Sequence, residues 1–182
     1  MVSIGPSSFG TVHLSPLLRK VRVLGFGSDD AVLWLAVSRG CHHYAPSDSR
    51  KFMVADPGCV VLSNEELAVA MITAARKPDP RLIRCAAQLI GAPDVSAPRL
   101  ARLARMERCV PVLAYIARCA VKWDSVRQEF WSELLKHLPE SEPLSSELWP
   151  HPSRFMLQAG YQKGGSIPTP VWLRPLRKEA AA

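Results

Sequence analysis

Four arginines recur at every third position, Arg99, Arg102, Arg105 and Arg108, with Arg81 and Arg84 ahead of them and Arg118 behind. A guanidinium is planar, permanently charged and presents two parallel N–H groups to a phosphate or carboxylate. A row of them is chemistry for gripping an anion. Residues 81–122 hold eight Lys and Arg against two acids, Asp94 and Glu107, which is +6 of the chain's +7. At 100° per residue, Leu100, Leu103 and Ala104 turn to one side of a helix. Arg102, Arg105 and Arg108 turn away from it, with Arg99 at the margin. The expected partner is the sugar-phosphate backbone of DNA or RNA, held through Arg81, Arg84, Arg99, Arg102, Arg105, Arg108 and Arg118. The competing expectation is a solvated helix face paired with the chain's own acids. Those gather in residues 124–147, which hold six acids against Arg127 and Lys136.

Other residue sets fall short of a site. Residues 84–90 and 96–108, separated by the break Gly91 to Val95, have the order of a helix-turn-helix. The turn is long, however, and Ala97 and Pro98 stand where base-reading side chains are expected. Phosphate contact without base reading fits better. Cys41, His42, His43 and Cys59 are soft ligands of the right type for zinc, with Cys85 needed to complete a set, but the spacing is irregular. No metal and no cofactor is expected. Gly25 and Gly27 lack the Lys-Ser/Thr step of a phosphate cradle, and a hairpin turn explains them. No Gly-x-Ser-x-Gly occurs, Cys41 and His42 are adjacent and so point apart, and Glu65 and Glu66 are accounted for by capping. A catalyst is the third-ranked expectation, behind the two binding roles.

A second candidate surface lies near the C-terminus. Trp149, Phe155 and Trp172, with Arg174, Arg177 and Lys178, form apolar anchors flanked by charge and proline. They suit docking onto a protein partner or a second copy of the chain. The alternative is a strap across the chain's own core.

The elements that would position these residues divide near position 63. Residues 21–26 and 31–38, then 51–55 and 59–62, read as strand pairs joined by Gly27-Ser-Asp-Asp and Asp56-Pro-Gly turns. The competing reading is a helix over 29–39, with Ser28 as cap and Gly40 as stop. Helix signals then take over. Ser63 and Glu66 form a capping box opening residues 65–76. Asp79 and Pro80 open 81–90, closed by Gly91. Ser96 caps a helix to 108, Pro111 starts one to 122, and Asp124 caps 125–138, stopped by Pro139. Six further prolines between 143 and 175 forbid long helices.

The expected fold is α+β. It comprises a small N-terminal antiparallel sheet (residues 1–62), a helical bundle carrying the basic helices (63–138), and an extended Pro-rich strap (139–182), all one folded unit. No apolar run approaches the roughly 20 residues that cross a bilayer. With no secretory signal and five cysteines without a C-x-x-C pair, a cytoplasmic binding subunit without catalytic function is expected, with no membrane contact. The alternative is an assembly subunit of a larger complex, with no nucleic-acid role, docking through its C-terminal segment.

Overall fold

The computed structural model describes residues 14–41, 62–141, 149–158 and 170–176. Seven α-helices dominate these residues: α1 Pro16–Val23, α2 Asp29–Ser38, α3 Asn64–Ile72, α4 Pro80–Ile90, α5 Ala97–Met106, α6 Val110–Trp123 and α7 Gln128–His137. Two 3-10 turns, Ser125–Arg127 and Pro152–Phe155, precede α7 and the short strand β1 Met156–Gln158. β1 pairs antiparallel with β2 Pro170–Trp172, Met156 opposite Trp172. No described helix is long and apolar enough to cross a membrane.

The N-terminal antiparallel sheet expected within residues 21–38 is not formed, so the α+β class is corrected to a helical fold with one small C-terminal ladder. Ser15 accepts from Leu18 N at 3.1 Å and Pro16 occupies the first turn, which starts α1. Gly25, at φ 86°, makes the turn that follows. Val23, within the expected strand 21–26, is 82% exposed on α1. Ser28 accepts from Ala31 N at 3.2 Å and opens α2, the helix offered by the competing reading of residues 29–39. Residues 51–61, the other expected strand pair, lie outside the described residues.

Polar contacts at both ends fix how the helices run. Ser96 N donates to Glu65 Oε1 at 3.0 Å where α3 and α5 begin, and Ala74 N donates to Glu107 O at 3.3 Å where both end. The two helices therefore run parallel. Lys20 bonds Glu66 at 2.9 Å while Ser15 Oγ donates to Glu107 Oε2 at 2.7 Å, so α1 runs antiparallel to both. One apolar cluster extends from Leu17 through all seven helices to Phe155 and Trp172.

The C-terminal strand closes that core. Trp172, 2% exposed, meets Trp131 and Phe155 with ring centroids 5.4 Å away in each case. Its Nε1 donates to Ala87 O at 3.4 Å, and Gln88 Nε2 donates to Arg174 O at 3.0 Å. Two glycines give this segment passage. At Gly91 a Cβ would stand 3.1 Å from Trp172 Cδ1. At Gly40, whose φ is +99°, it would collide with the Leu176 carbonyl; Leu176 N donates to Gly40 O at 3.1 Å. The helix stops read from sequence are thus also crossing points.

Gly91→Ala leaves the backbone relaxed but overpacks the indole, so it should cost about 1–3 kcal/mol. Gly40→Ala adds a left-handed alanine to a clash with backbone and should cost more than Gly91→Ala. Urea midpoints of the two variants check the order, and equal midpoints would refute this account of the strap.

Candidate nucleic-acid interface

The chain folds α5 so that its ends are fixed and its outer face is left open. Ala97, Leu100, Ala101 and Ala104 are buried against α3, α6 and α7. The N-terminal end is held by the buried Glu65, which takes the Ser96 N–H. The C-terminal end is held by Glu107, 4% exposed, which takes the Ser15 hydroxyl at 2.7 Å and lies 3.3 Å from Thr73 Oγ1. Arg108 follows with φ 55°, a left-handed residue in the turn into α6.

Arg99, Arg102, Arg105 and Arg108 are all exposed. Among the described residues none of them has a carboxylate partner. Arg105 Nε donates to Ala101 O at 3.4 Å, within its own helix. The two acids of the 81–122 stretch are spent elsewhere. Glu107 points inward, and Asp94 accepts the Asn64 amide at 3.0 and 3.1 Å. Although α7 packs on α5, its Glu133 reaches His137 at 3.5 Å and not the row. Three-residue steps rise about 4.5 Å and turn back by about 60° along a helix, so the row winds partly round α5.

The other expected phosphate contacts are placed differently. Arg81 is exposed but paired with Asp79 at 2.8 Å, whose hydrogen bond keeps its guanidinium more firmly protonated than usual. Arg84 is half-buried beside Cys85. Arg118 is exposed on α6 and donates to Ser141 O at 3.4 Å. Among the described residues, Arg99, Arg102 and Arg105 on α5, Arg108 just beyond it and Arg118 on α6 are thus the members of the set that are exposed without a carboxylate ion pair.

Five further basic residues do structural work that spacing alone did not reveal. Arg39 bonds Asn64 Oδ1 at 2.9 Å and the Leu62 carbonyl, and burial lowers its pKa. Arg76 joins Asp29 and donates to Ala70 O at 2.9 Å. Arg127 caps the end of α4 through the Ile90 and Ala92 carbonyls, its guanidinium 3.8 Å from the centre of the Phe130 ring. Arg174 pairs with Asp124, and Lys20 with Glu66. For Arg76 the available signal was position, just past the end of α3 where basic side chains satisfy terminal carbonyls. Arg127 sits at the start of α7 and bonds carbonyls 35 and 37 positions away, which no local signal marks.

The C-terminal candidates are engaged within the chain. Phe155 and Trp172 are buried in the core, Trp149 is half-buried with its ring 6.3 Å from Tyr115, and Arg174 holds Asp124. Arg177 and Lys178 lie outside the described residues. So do His42, His43 and Cys59 of the zinc reading. Cys41 is buried, and no group of three or more His, Cys, Asp or Glu that could hold a metal occurs among the described residues.

Two outcomes follow from the local electrostatics. Burial pushes the Cys85 and Cys109 thiols up to about 12 and raises Cys41 as well. At pH 7 these three should resist maleimide in the native protein and react after unfolding, as peptide mass mapping would record. Glu66 is pushed up by partial burial but held below its ordinary 4.5 by the Lys20 hydrogen bond, the Ser63 N–H and the charges of Lys20 and Arg99. A carboxylate with a depressed folded pKa contributes stability above its unfolded pKa and loses it as pH falls through the folded one. Urea midpoints should therefore drop below about pH 4.5, and Glu66→Gln should flatten that part of the profile.

Comparison with known proteins gives the chain no counterpart: no protein-family model matches it, and no curated protein or solved structure does so significantly.

Proposed function

We propose that the protein is a non-catalytic binding subunit that holds nucleic-acid phosphates along α5. Arg99, Arg102, Arg105 and Arg108 supply the contacts, with Arg118 on α6 as an outlying cation. One observation carries this reading: the four side chains are exposed and lack a carboxylate partner among the described residues, while both nearby acids are turned to structural work. Five other arginines of the chain are each satisfied by a carbonyl or carboxylate. An exposed row without carboxylate ion pairs, in which only Arg105 bonds a carbonyl of its own helix, suits an external polyanion. The left-handed backbone of Arg108 belongs to the helix stop: Cys109 N donates to Ala104 O at 3.0 Å and Arg108 N to Arg105 O at 3.3 Å, the pattern that ends a helix.

Contacts of this kind grip the backbone without reading bases, because α5 offers no Asn or Gln and begins Ala-Pro. Protein docking through residues 149–178 draws less support, since Phe155, Trp172 and Arg174 are already bound within the chain.

Fluorescence anisotropy with generic duplex DNA and single-stranded RNA, titrated with salt, tests the reading. Affinity should fall linearly in log–log form as salt rises. Arg102→Ala combined with Arg105→Ala should reduce the slope by about 1.8 for duplex or about 1.4 for single strands, two phosphate contacts' worth. Undetectable binding at low salt, or an unchanged slope in the double variant, would overturn it.

A further inference from the structure

A cavity of about 540 Å³ opens between α1, the start of α2 and the connection from α3 to α4. Leu14, Leu18 and Val21 contribute apolar lining, Leu18 and Val21 being themselves buried. Basic residues line it as well. Arg76 stands there with its charge met by Asp29, fixed further by bonds to the Ala70 and Gly27 carbonyls. Arg22 and Lys77, both exposed, also line the cavity, and neither has a hydrogen-bond or ion-pair partner among the described residues. The size falls within the roughly 300–1,000 Å³ of small-molecule sites.

An occupant of this cavity meets apolar lining from Leu14 and Leu18 together with two exposed, unpaired cations. We infer that this cavity binds a small molecule made of an apolar, ring-sized body carrying a phosphate monoester. Such a monoester bears about −1.5 to −2 charge at pH 7, which matches Arg22 and Lys77 together, whereas a carboxylate answers one of them. The same chemistry is found on a free phosphorylated metabolite and at the 5′-phosphate end of a nucleic-acid strand. The inference does not depend on the α5 row.

Isothermal titration of the full chain with phenyl phosphate tests it, with phenol and inorganic phosphate as the separate halves. Saturable binding of phenyl phosphate, tighter than either half, is expected. Arg22→Ala with Lys77→Ala should weaken it by at least about tenfold, the worth of losing charge-assisted bonds. Ala75→Trp, at an exposed position lining the cavity, should block it without touching the core. Lys136→Ala, an exposed cation on α7, should leave it intact, and thermal melts confirm that each variant is folded. Competition by a 5′-phosphorylated but not a 5′-hydroxyl trinucleotide would assign the site to strand ends. Failure of both to compete would assign it to a free metabolite. Absent binding at millimolar phenyl phosphate, equal binding of inorganic phosphate, or retention in the double variant or Ala75→Trp would overturn the inference.

Discussion

The carboxylate of Asp124 is the point from which the core is hung. It sits at the corner between α6 and α7, 2% exposed, and its two oxygens serve three separate elements. One takes the indole N–H of Trp131 at 2.8 Å; the other takes the Arg174 guanidinium and the Arg127 N–H. A buried charge is tolerable only when its hydrogen-bonding capacity is filled, and loss of one partner of such a pair costs about 3–5 kcal/mol. That requirement orients Trp131, starts the turn into α7 and brings the C-terminal segment across the bundle. The ring cluster of Phe130, Trp131, Phe155 and Trp172 then packs around a geometry already set by polar contacts. Glu65 and Glu107 also bury carboxylates at the two ends of α5 and tie that helix to other parts of the fold, although only Oε2 of Glu107 is bonded and its Oε1 is buried without a hydrogen-bond partner.

This use of acids shapes the surface. Three carboxylates withdrawn into the interior, with Glu66, Asp29 and Asp79 paired to single cations, leave few anions near α5. The net charge of the chain says only that bases outnumber acids. The distribution among the described residues leaves exposed cations without an acidic partner on several elements: Arg22 on α1, Lys77 ahead of α4, Lys136 on α7 and the arginines of α5. A clamped helix presents its guanidinium stems at fixed separations, which lowers the ordering cost of meeting a regularly spaced partner.

From residue 63 onward, most helix starts were legible in the sequence because short polar signals mark them. The Ser63–Glu66 box, Asp79 before Pro80, and Asp124 all act as caps in the fold. Ser96 does not: its side chain makes no capping bond, and its N–H goes to Glu65 instead, a contact between residues 31 positions apart that no local pattern encodes. The first two helices were obscured for a definite reason. α2 is buried on nearly all sides, so Ala31, Val32, Leu33, Leu35 and Ala36 form an apolar run without helical period, which a buried strand also produces. In α1, the valines at 21 and 23 suggested alternation, while the Ser15-Pro16 start was the better guide. The arginine row was legible because rotation of 100° per residue separates it from its leucines and alanines. The pairing of Arg81 and the inward turn of Glu107 were not, since both depend on where the chain lies in three dimensions.

The crossing of Gly40 by Leu176 links positions at nearly opposite ends of the described chain through paired backbone. During synthesis, α1 to α7 emerge well before their last core residue does. Until Trp172 arrives, the cleft beside Trp131 and Gly91 stays unfilled, an apolar gap open to water and to other nascent chains. At roughly 5–20 residues per second the interval after α7 lasts a few seconds, far longer than helix formation or collapse. The helical part therefore has time to settle first, and the final strand acts as a late fastening, with chaperones given a defined window in which that gap is theirs to cover.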